Sequence, residues 1–349
     1  MKTLVTGATG KVGAAVVSAA LAAGHQVRAL VRDPARAAGV LPPPAAATAL
    51  ELVQGDVTDP GSLERAVVGC ELVFNAMGVP EQWLADVSLF ERVNVGGSEN
   101  VAKAAAAAGA RPGGAPPPPP PPPAPPGARR LVHTSTVNVF DAPPGGRFDE
   151  SCLAATPKPN AYDRSKQRAE EAVLAAAAGT RLAVVLANSA TVYGPGPMTA
   201  ASMEKRMFAP AVRGLLPAVP PGGFGVVFTE SLARGHLLAA ERGEPGQRYI
   251  LCDGHVTLAE RVGTVVLVAG RGRRPLFTMP TPAAVALAAT GEAAARITRR
   301  PPPLARGQLA YLRWNAHPDA SRARRDLGWE PTPLRDGLRR TLEAAGLLR

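Results

Sequence analysis

Apolar and polar residues follow two rhythms along the first half of the chain. Short runs of aliphatic and β-branched residues, at Thr3–Thr6, Gln26–Val31, Glu51–Gln54, Leu72–Asn75, Arg130–Thr134 and Leu182–Ala187, read as buried strands. Between them lie stretches with helical spacing: Val12–Ala23, Ser62–Val68, Leu84–Gly109 in two pieces, and Ala161–Ala178. Strands alternating with helices predict a parallel sheet, because parallel neighbours need a crossover long enough to hold a helix. Right-handed crossovers then lead to a Rossmann-type, doubly wound α/β fold. After about Val192 the alternation stops and Pro and Gly become frequent. The expectation is an NAD(P)-binding domain over 1–192 and a smaller, mainly helical C-terminal substrate lobe over 193–349. Some segments of that lobe are expected to return to the Rossmann core.

Arg111–Gly127 breaks the first rhythm with an unbroken proline run, Pro116–Pro123. Such a run lacks backbone donors and adopts extended polyproline geometry. The 111–128 segment reads as a tolerated insertion in a helix-to-strand loop, the alternative being a docking segment for a proline-recognising partner. The strand resumes at Arg130, so no domain boundary is placed there.

Composition refines this picture in three ways. Aromatic residues make up only 4% of the chain, so the core must be built mainly from Ala, Val and Leu. Cys70, Cys152 and Cys252 show no CxxC or His-pair spacing, which argues against a disulfide framework or a metal site and for the cytoplasm. No leader is expected ahead of Lys2-Thr-Leu-Val-Thr6, and no stretch suits a membrane span; Ala283–Ala295 is short and broken by Gly291 and Glu292. The net charge of +11 gathers in arginine clusters at Arg271–Arg274, Arg299-Arg300 and Arg322–Arg325. No aromatics interleave with them, so a solvated surface is expected rather than a nucleic-acid site. The same field would favour a phosphorylated cofactor or an anionic substrate.

The chemistry begins at the N-terminus, MKTLVTGATGKVG. The first strand runs into Gly7-Ala-Thr-Gly10-Lys-Val-Gly13, and a helix opens at about Lys11. Glycines there let the backbone turn tightly and let a pyrophosphate approach the helix N-terminal amides. The expected contacts are Gly7, Thr9, Gly10, Lys11, Val12 and Gly13. The second strand ends in Val31-Arg32, where an acid would select NAD by binding the ribose hydroxyls. Arg32, with Arg28 and Arg36 nearby, can instead pair with a 2′-phosphate, so NADP is expected. Asp33 competes through a one-residue register change, which keeps NAD open. Asp56, followed by Val57 after the third strand, is placed to meet the adenine amino group, or else caps the next helix.

Tyr162 and Lys166 in Ala161-Tyr-Asp-Arg-Ser-Lys166 share one helical face. That spacing suits a tyrosine acid whose pKa is lowered from its ordinary value of about 10 by an adjacent cation. The fifth strand ends in His133-Thr-Ser-Thr136, and Thr136 or Ser135 could bond a substrate carbonyl as it gains charge. Strand-end capping is the bland alternative.

Together TGATGKVG, GDVTD, NVGGSENV, HTSTV, YDRSK and VYGPGP resemble the extended short-chain dehydrogenase/reductase family, also described as the NAD-dependent epimerase/dehydratase superfamily, in its dihydroflavonol 4-reductase-like branch. The resemblance covers nearly the whole chain apart from the proline insert. It implies Tyr162 as proton donor and acceptor, and Lys166 on the nicotinamide ribose, lowering the tyrosine pKa. It further implies Thr136 as the hydroxyl of the triad, Asn94 as the asparagine of the NVxGT segment, and cofactor contacts at Asn75, Ala76 and Asn188. Ser189 stands where a proline is usual, Ser231 where an aspartate is frequent, and Asn75-Ala-Met-Gly78 replaces a His/Ala-rich run. These departures fall on the substrate side. The expected activity is hydride transfer between NADP and a ketone, aldehyde or secondary alcohol. The alternatives are an NAD-dependent nucleotide-sugar epimerase or dehydratase and, outside enzymes, a dinucleotide-sensing interaction protein. A homodimer through the helices Leu84–Gly109 and Ala161–Ala178 would suit the family.

Overall fold

The computed structural model describes residues 1–42, 49–109, 129–198, 202 and 204–348. The 111–128 insert, with its docking alternative, lies outside the described residues. In chain order the strands are β1 (Lys2–Thr6), β2 (Gln26–Val31), β3 (Leu50–Gln54), β4 (Leu72–Asn75), β5 (Arg130–Thr136), β6 (Arg147–Phe148) and β7 (Ala183–Ser189). They continue with β8 (Thr191–Tyr193), β9 (Ala218–Val219), β10 (Gly223–Phe228), β11 (Arg248–Leu251), β12 (Gly254–Thr257), β13 (Phe277–Thr278) and β14 (His317–Pro318). The helices are α1 (Lys11–Ala22), α2 (Pro34–Ala38), α3 (Pro60–Val67), α4 (Ser98–Gly109), α5 (Ala161–Ala177) and α6 (Ala209–Val212). After these come α7 (Thr229–Arg242), α8 (Leu258–Ala269), α9 (Thr281–Thr298), α10 (Arg306–Trp314) and α11 (Leu334–Ala344).

Seven parallel strands form the central sheet in the order β11-β7-β5-β4-β1-β2-β3. The order reverses between β1 and β4, which opens a crevice at their carboxyl ends. Two apolar layers cover the sheet. Val16, Val17 and Ala20 of α1 pack with Leu232, Ala233 and Ala239 of α7 on one face. Leu63 of α3, Val101 and Ala102 of α4 and Val173 of α5 cover the other. Alanines recur on these helices, letting them lie close to the sheet. Both α7 and β11 come from beyond Val192, so the chain crosses back to complete the sheet and its cover.

Several boundaries differ from the sequence pattern. The strands β5 and β7 run two residues further, to Thr136 and Ser189, which lie opposite each other in the ladder. Their hydroxyl and amide side chains read as loop, yet the backbone stays paired. The predicted helix from Leu84 starts later, because the Asp86 carboxylate takes the Ser88 amide (3.0 Å) and hydroxyl in a local turn that competes with helix. A π-helix, Phe90–Gly97, follows and continues directly into α4.

The second lobe is built on the small sheet β12-β10-β8 with α6, α8 and α11. Tyr193, Phe208, Phe224 and Phe228 are buried here. The Arg261 side chain of α8 is fully buried among them, its guanidinium carbon 4.8, 5.2 and 5.4 Å from the rings of Tyr193, Phe208 and Phe224. Ring faces compensate part of the lost hydration of that cation.

Glu170 of α5 ties three elements together beneath the crevice. Its carboxylate accepts the Asn188 amide of β7 (2.7 Å) and the Arg248 guanidinium of β11 (2.8 Å), and its side chain is only 2% exposed. Removing one partner of a buried pair strands the other. Glu170→Ala is therefore expected to lower stability by about 3–5 kcal/mol, seen as a fall in the thermal midpoint. Glu170→Gln, which can still accept from Asn188, should lose less.

Candidate active site

The crevice is lined first by bare backbone. Gly7 has φ +65°, and a Cβ there would lie 2.6 Å from the Ala76 carbonyl oxygen and the Met77 Cα. A Cβ on Gly13 would lie 2.1 Å from the Gly7 carbonyl oxygen. Only glycine permits both approaches, and together they seat α1 against the ends of β1 and β4. The Gly10 amide donates to the Gly7 carbonyl (2.9 Å), closing the turn through Thr9. Gly10 is also the N-cap of α1 and supplies no capping side chain, so the first-turn amides are open to a phosphate group. Val12 packs against the core behind the loop. This cradle fits a dinucleotide pyrophosphate.

Lys11 departs from expectation. Its ammonium donates to the Gly194 carbonyl (2.8 Å) and to the Glu204 carboxylate (2.6 Å), and Glu204 is 4% exposed. The loop lysine thus fastens the second lobe to the first.

On the adenosine side, Arg32 is exposed just past β2. The Asp33 carboxylate caps α2, accepting the Ala35 and Arg36 amides at 3.0 and 3.2 Å. This commits the competing acid to the backbone. Arg28 is held away by Glu51 (2.9 Å) and by the Ala66 and Val68 carbonyls. Asp56 closes a local turn, its Oδ1 accepting the Thr58 amide and hydroxyl, both at 2.8 Å, while the cap of α3 is Asp59, which accepts the Gly61 amide (3.0 Å). The Val57 side chain packs beside Gly97 of the π-helix.

Asn75 and Asn188, expected against the cofactor, serve as internal struts. Asn75 is fully buried, accepts the Thr6 hydroxyl (2.7 Å) and donates to His133 Nδ1 (3.0 Å), joining the ends of β1, β4 and β5. Burial holds His133 neutral, well below the usual imidazole range. Asn188 is fully buried too, donating to the Thr136 carbonyl (3.2 Å) and to Glu170. Ala76 remains at the crevice through its backbone.

The catalytic candidates meet where α5 crosses the end of β5. Asn160 caps α5 by accepting the Tyr162 amide (3.1 Å). The Tyr162 hydroxyl lies beside the Thr136 side chain, whose oxygen accepts the Asn138 amide (3.3 Å). The Ser135 hydroxyl is buried without a partner, so of the two candidate hydroxyls Thr136 stands with the tyrosine. Lys166 donates to the Thr134 carbonyl (2.7 Å). Asn94, on the π-helix, accepts the Val79 amide (2.8 Å) and donates to the Ser165 hydroxyl (2.9 Å), which in turn donates to the Tyr162 carbonyl (2.7 Å). It braces the first turn of α5. Phe90 packs edge-on to Tyr162 at 6.1 Å.

Residues 3–252 match the NAD dependent epimerase/dehydratase family. The chain belongs to that family. It is 29% identical over 339 residues to sterol demethylase protein B of Methylococcus capsulatus, covering 96% of this chain and 95% of that protein. It is 28% identical over 340 residues to a Synechocystis sp. protein provisionally named dihydroflavonol 4-reductase, covering 96% and 91%. The solved structure of gox2253 superposes with a TM-score of 0.77 at 27% identity, over 99% of both chains. This epimerase/dehydratase member is thus an NAD(P)-dependent enzyme built on a Rossmann-type sheet.

The electrostatics of Tyr162 and Lys166 run against the expected lowering. Burial, then the Asp163 carboxylate, push the Tyr162 pKa up, and only the Thr136 contact acts the other way. The Lys166 ammonium is drawn to the Thr134 carbonyl, and burial brings its own pKa down to about 8. Asp163 is pushed up to about 6 by burial, with Asn138 donating to it at 2.7 Å. Asp163, Asn138 and Glu204 were missed in the sequence, although an acid directly after the tyrosine in YDRSK was a legible signal.

Above about pH 6 Asp163 is a carboxylate beside Tyr162 and disfavours the tyrosinate. Removing that charge makes the tyrosine easier to ionise. In Asp163→Asn the rising limb of the rate profile for alcohol oxidation, where the tyrosinate is the base, is expected to move to lower pH. An unmoved limb would show that Asp163 does not act on the tyrosine.

Proposed function

We propose that this enzyme is an NADP-dependent reductase or dehydrogenase interconverting a ketone or aldehyde with its alcohol, similar to dihydroflavonol 4-reductase. The observation that carries the reading is Tyr162, poised at Thr136 with its proton held by burial and by Asp163. A tyrosine in that state is suited to give a proton to a carbonyl oxygen as negative charge develops there. The Thr136 hydroxyl supports the same oxygen by hydrogen bonding. Lys166 orients the ribose end of the cofactor from the floor of the crevice, and Asn94 acts as a positioning residue. When bound, the nicotinamide supplies or takes up the hydride.

Gly7, Thr9, Gly10 and Gly13 would hold the pyrophosphate through backbone, with Ala76 along the facing wall. Arg32 would pair with a 2′-phosphate, since Asp33 is occupied at the α2 cap. An epimerase or dehydratase must first withdraw a proton from a sugar hydroxyl. The raised Tyr162 pKa favours the reductive direction over that step. The three cysteines are free, in keeping with a cytoplasmic enzyme.

Titration with NADPH and NADH tests the cofactor. The phosphorylated form should bind more tightly, and Arg32→Ser should weaken it by about ten- to a hundredfold while sparing NADH. Equal affinities in the parent protein would defeat the Arg32 argument. For a ketone that the protein reduces, Tyr162→Phe should lower kcat by roughly 100- to 10,000-fold with NADPH affinity retained. Undiminished turnover would show that another group donates the proton.

A further inference from the structure

Large apolar side chains left in water concentrate in one stretch. Leu276, Phe277, Val285, Leu287 and Ile297 are 62%, 56%, 44%, 37% and 85% exposed. Most of that stretch is α9, which buries only a narrow stripe of Ala284, Ala288 and Ala295. Ala284 and Ala288 share a small cluster with Leu304 and with Leu309 of α10. The outward face carries Ala283, Ala286, Thr290, Ala293 and Ile297, uncharged where a helix at a water boundary normally turns charged residues, and the Thr290 hydroxyl is turned onto the Ala286 carbonyl (2.8 Å). Its acidic residue, Glu292, is engaged by the Arg306 amide (2.7 Å).

The charges that remain are basic and sit at the two ends of α9. Arg271, Arg273 and Arg274 precede it, Arg296, Arg299 and Arg300 close it, and all are exposed. Two arginine clusters that read as ordinary solvated surface in the sequence thus flank one apolar helix face. A second copy of this chain, packed about a two-fold axis, would bring like charges together. An anionic lipid surface offers apolar depth and a negative rim at once.

We propose that α9 docks this protein peripherally on an anionic membrane, lying in the interface with Phe277, Val285 and Ile297 among the acyl chains. The arginines at both ends meet the lipid headgroups. Among the described residues no helix is long and apolar enough to cross a membrane, so the attachment is superficial. The buried side of α9 rests on α10, whose Tyr311 hydroxyl is bonded by Thr191 (3.3 Å) at the start of the second lobe. The lipid surface therefore lies against the substrate lobe and not against the cofactor loop.

Co-sedimentation with vesicles tests this directly, using phosphatidylcholine alone or with about 30% phosphatidylglycerol. Binding is expected to be at least about tenfold stronger on the anionic vesicles and to weaken as salt rises from about 0.1 M to about 1 M. The double variant Phe277→Glu/Ile297→Glu should lose it, and Arg299→Gln/Arg300→Gln should lower it by roughly tenfold. All four positions are exposed, so thermal midpoints and NADPH binding should stay unchanged. Equal binding to both vesicles, or binding retained by the Phe277→Glu/Ile297→Glu variant, would overturn the proposal. So would a parent dimer that dissociates in that variant and binds no vesicles, since a second copy would then own the face.

Discussion

The structure depends on how one helix is laid across one strand. Four residues of α-helix rise about 6 Å, and two residues of strand span about 6.6 Å. Tyr162 and Lys166 on α5 therefore match Thr136 and Thr134 on β5, one pair through side chains and the other through an ammonium and a carbonyl. A shift of one helical turn would carry both functional groups out of reach at once. The remaining contacts resist that shift: Asn160 caps the helix start, Asn94 braces Ser165, and Glu170 anchors the helix to β7 and β11.

Many of the polar groups beneath the crevice hold strands together, though the Ser135 hydroxyl, the Asn188 Oδ1 and the His133 Nε2 have no partner of their own. Thr6, Asn75 and His133 link three strand ends, and the Thr134 hydroxyl donates to His236, which donates in turn to the Leu232 carbonyl (2.8 Å). Burial lowers the His236 pKa to about 4, so the ring stays neutral and can accept from the threonine. Such networks are favourable in a dry interior when their donors and acceptors are matched. At the glycine loop, backbone amides are presented without side chains in the way.

The two lobes are joined by a charge contact at the phosphate loop itself. Lys11 and Glu204 meet at 2.6 Å across the boundary, with Gly194 accepting the same ammonium. Strand β11 and helix α7 then return from the second half to finish the sheet. The lobes therefore share a core, and the second lobe is positioned relative to the loop by its own cation.

By itself the sequence determined the strand–helix alternation, the glycine cradle and the Tyr162/Lys166 face, because each is a local pattern of period, size or spacing. It could place Arg32 and Asp33 side by side but could not choose between them. The structure adds that Asp33 caps α2, its Oδ1 accepting the Ala35 and Arg36 amides. Tertiary structure alone decided the roles of Asn75, Asn188 and Lys11, whose partners lie between 18 and 193 residues away. It also reversed the expected direction of the Tyr162 pKa, since burial and the orientation of Lys166 are not written in helical spacing. The same holds for α9, where apolar residues and arginine clusters that look unrelated along the chain become one surface only after folding.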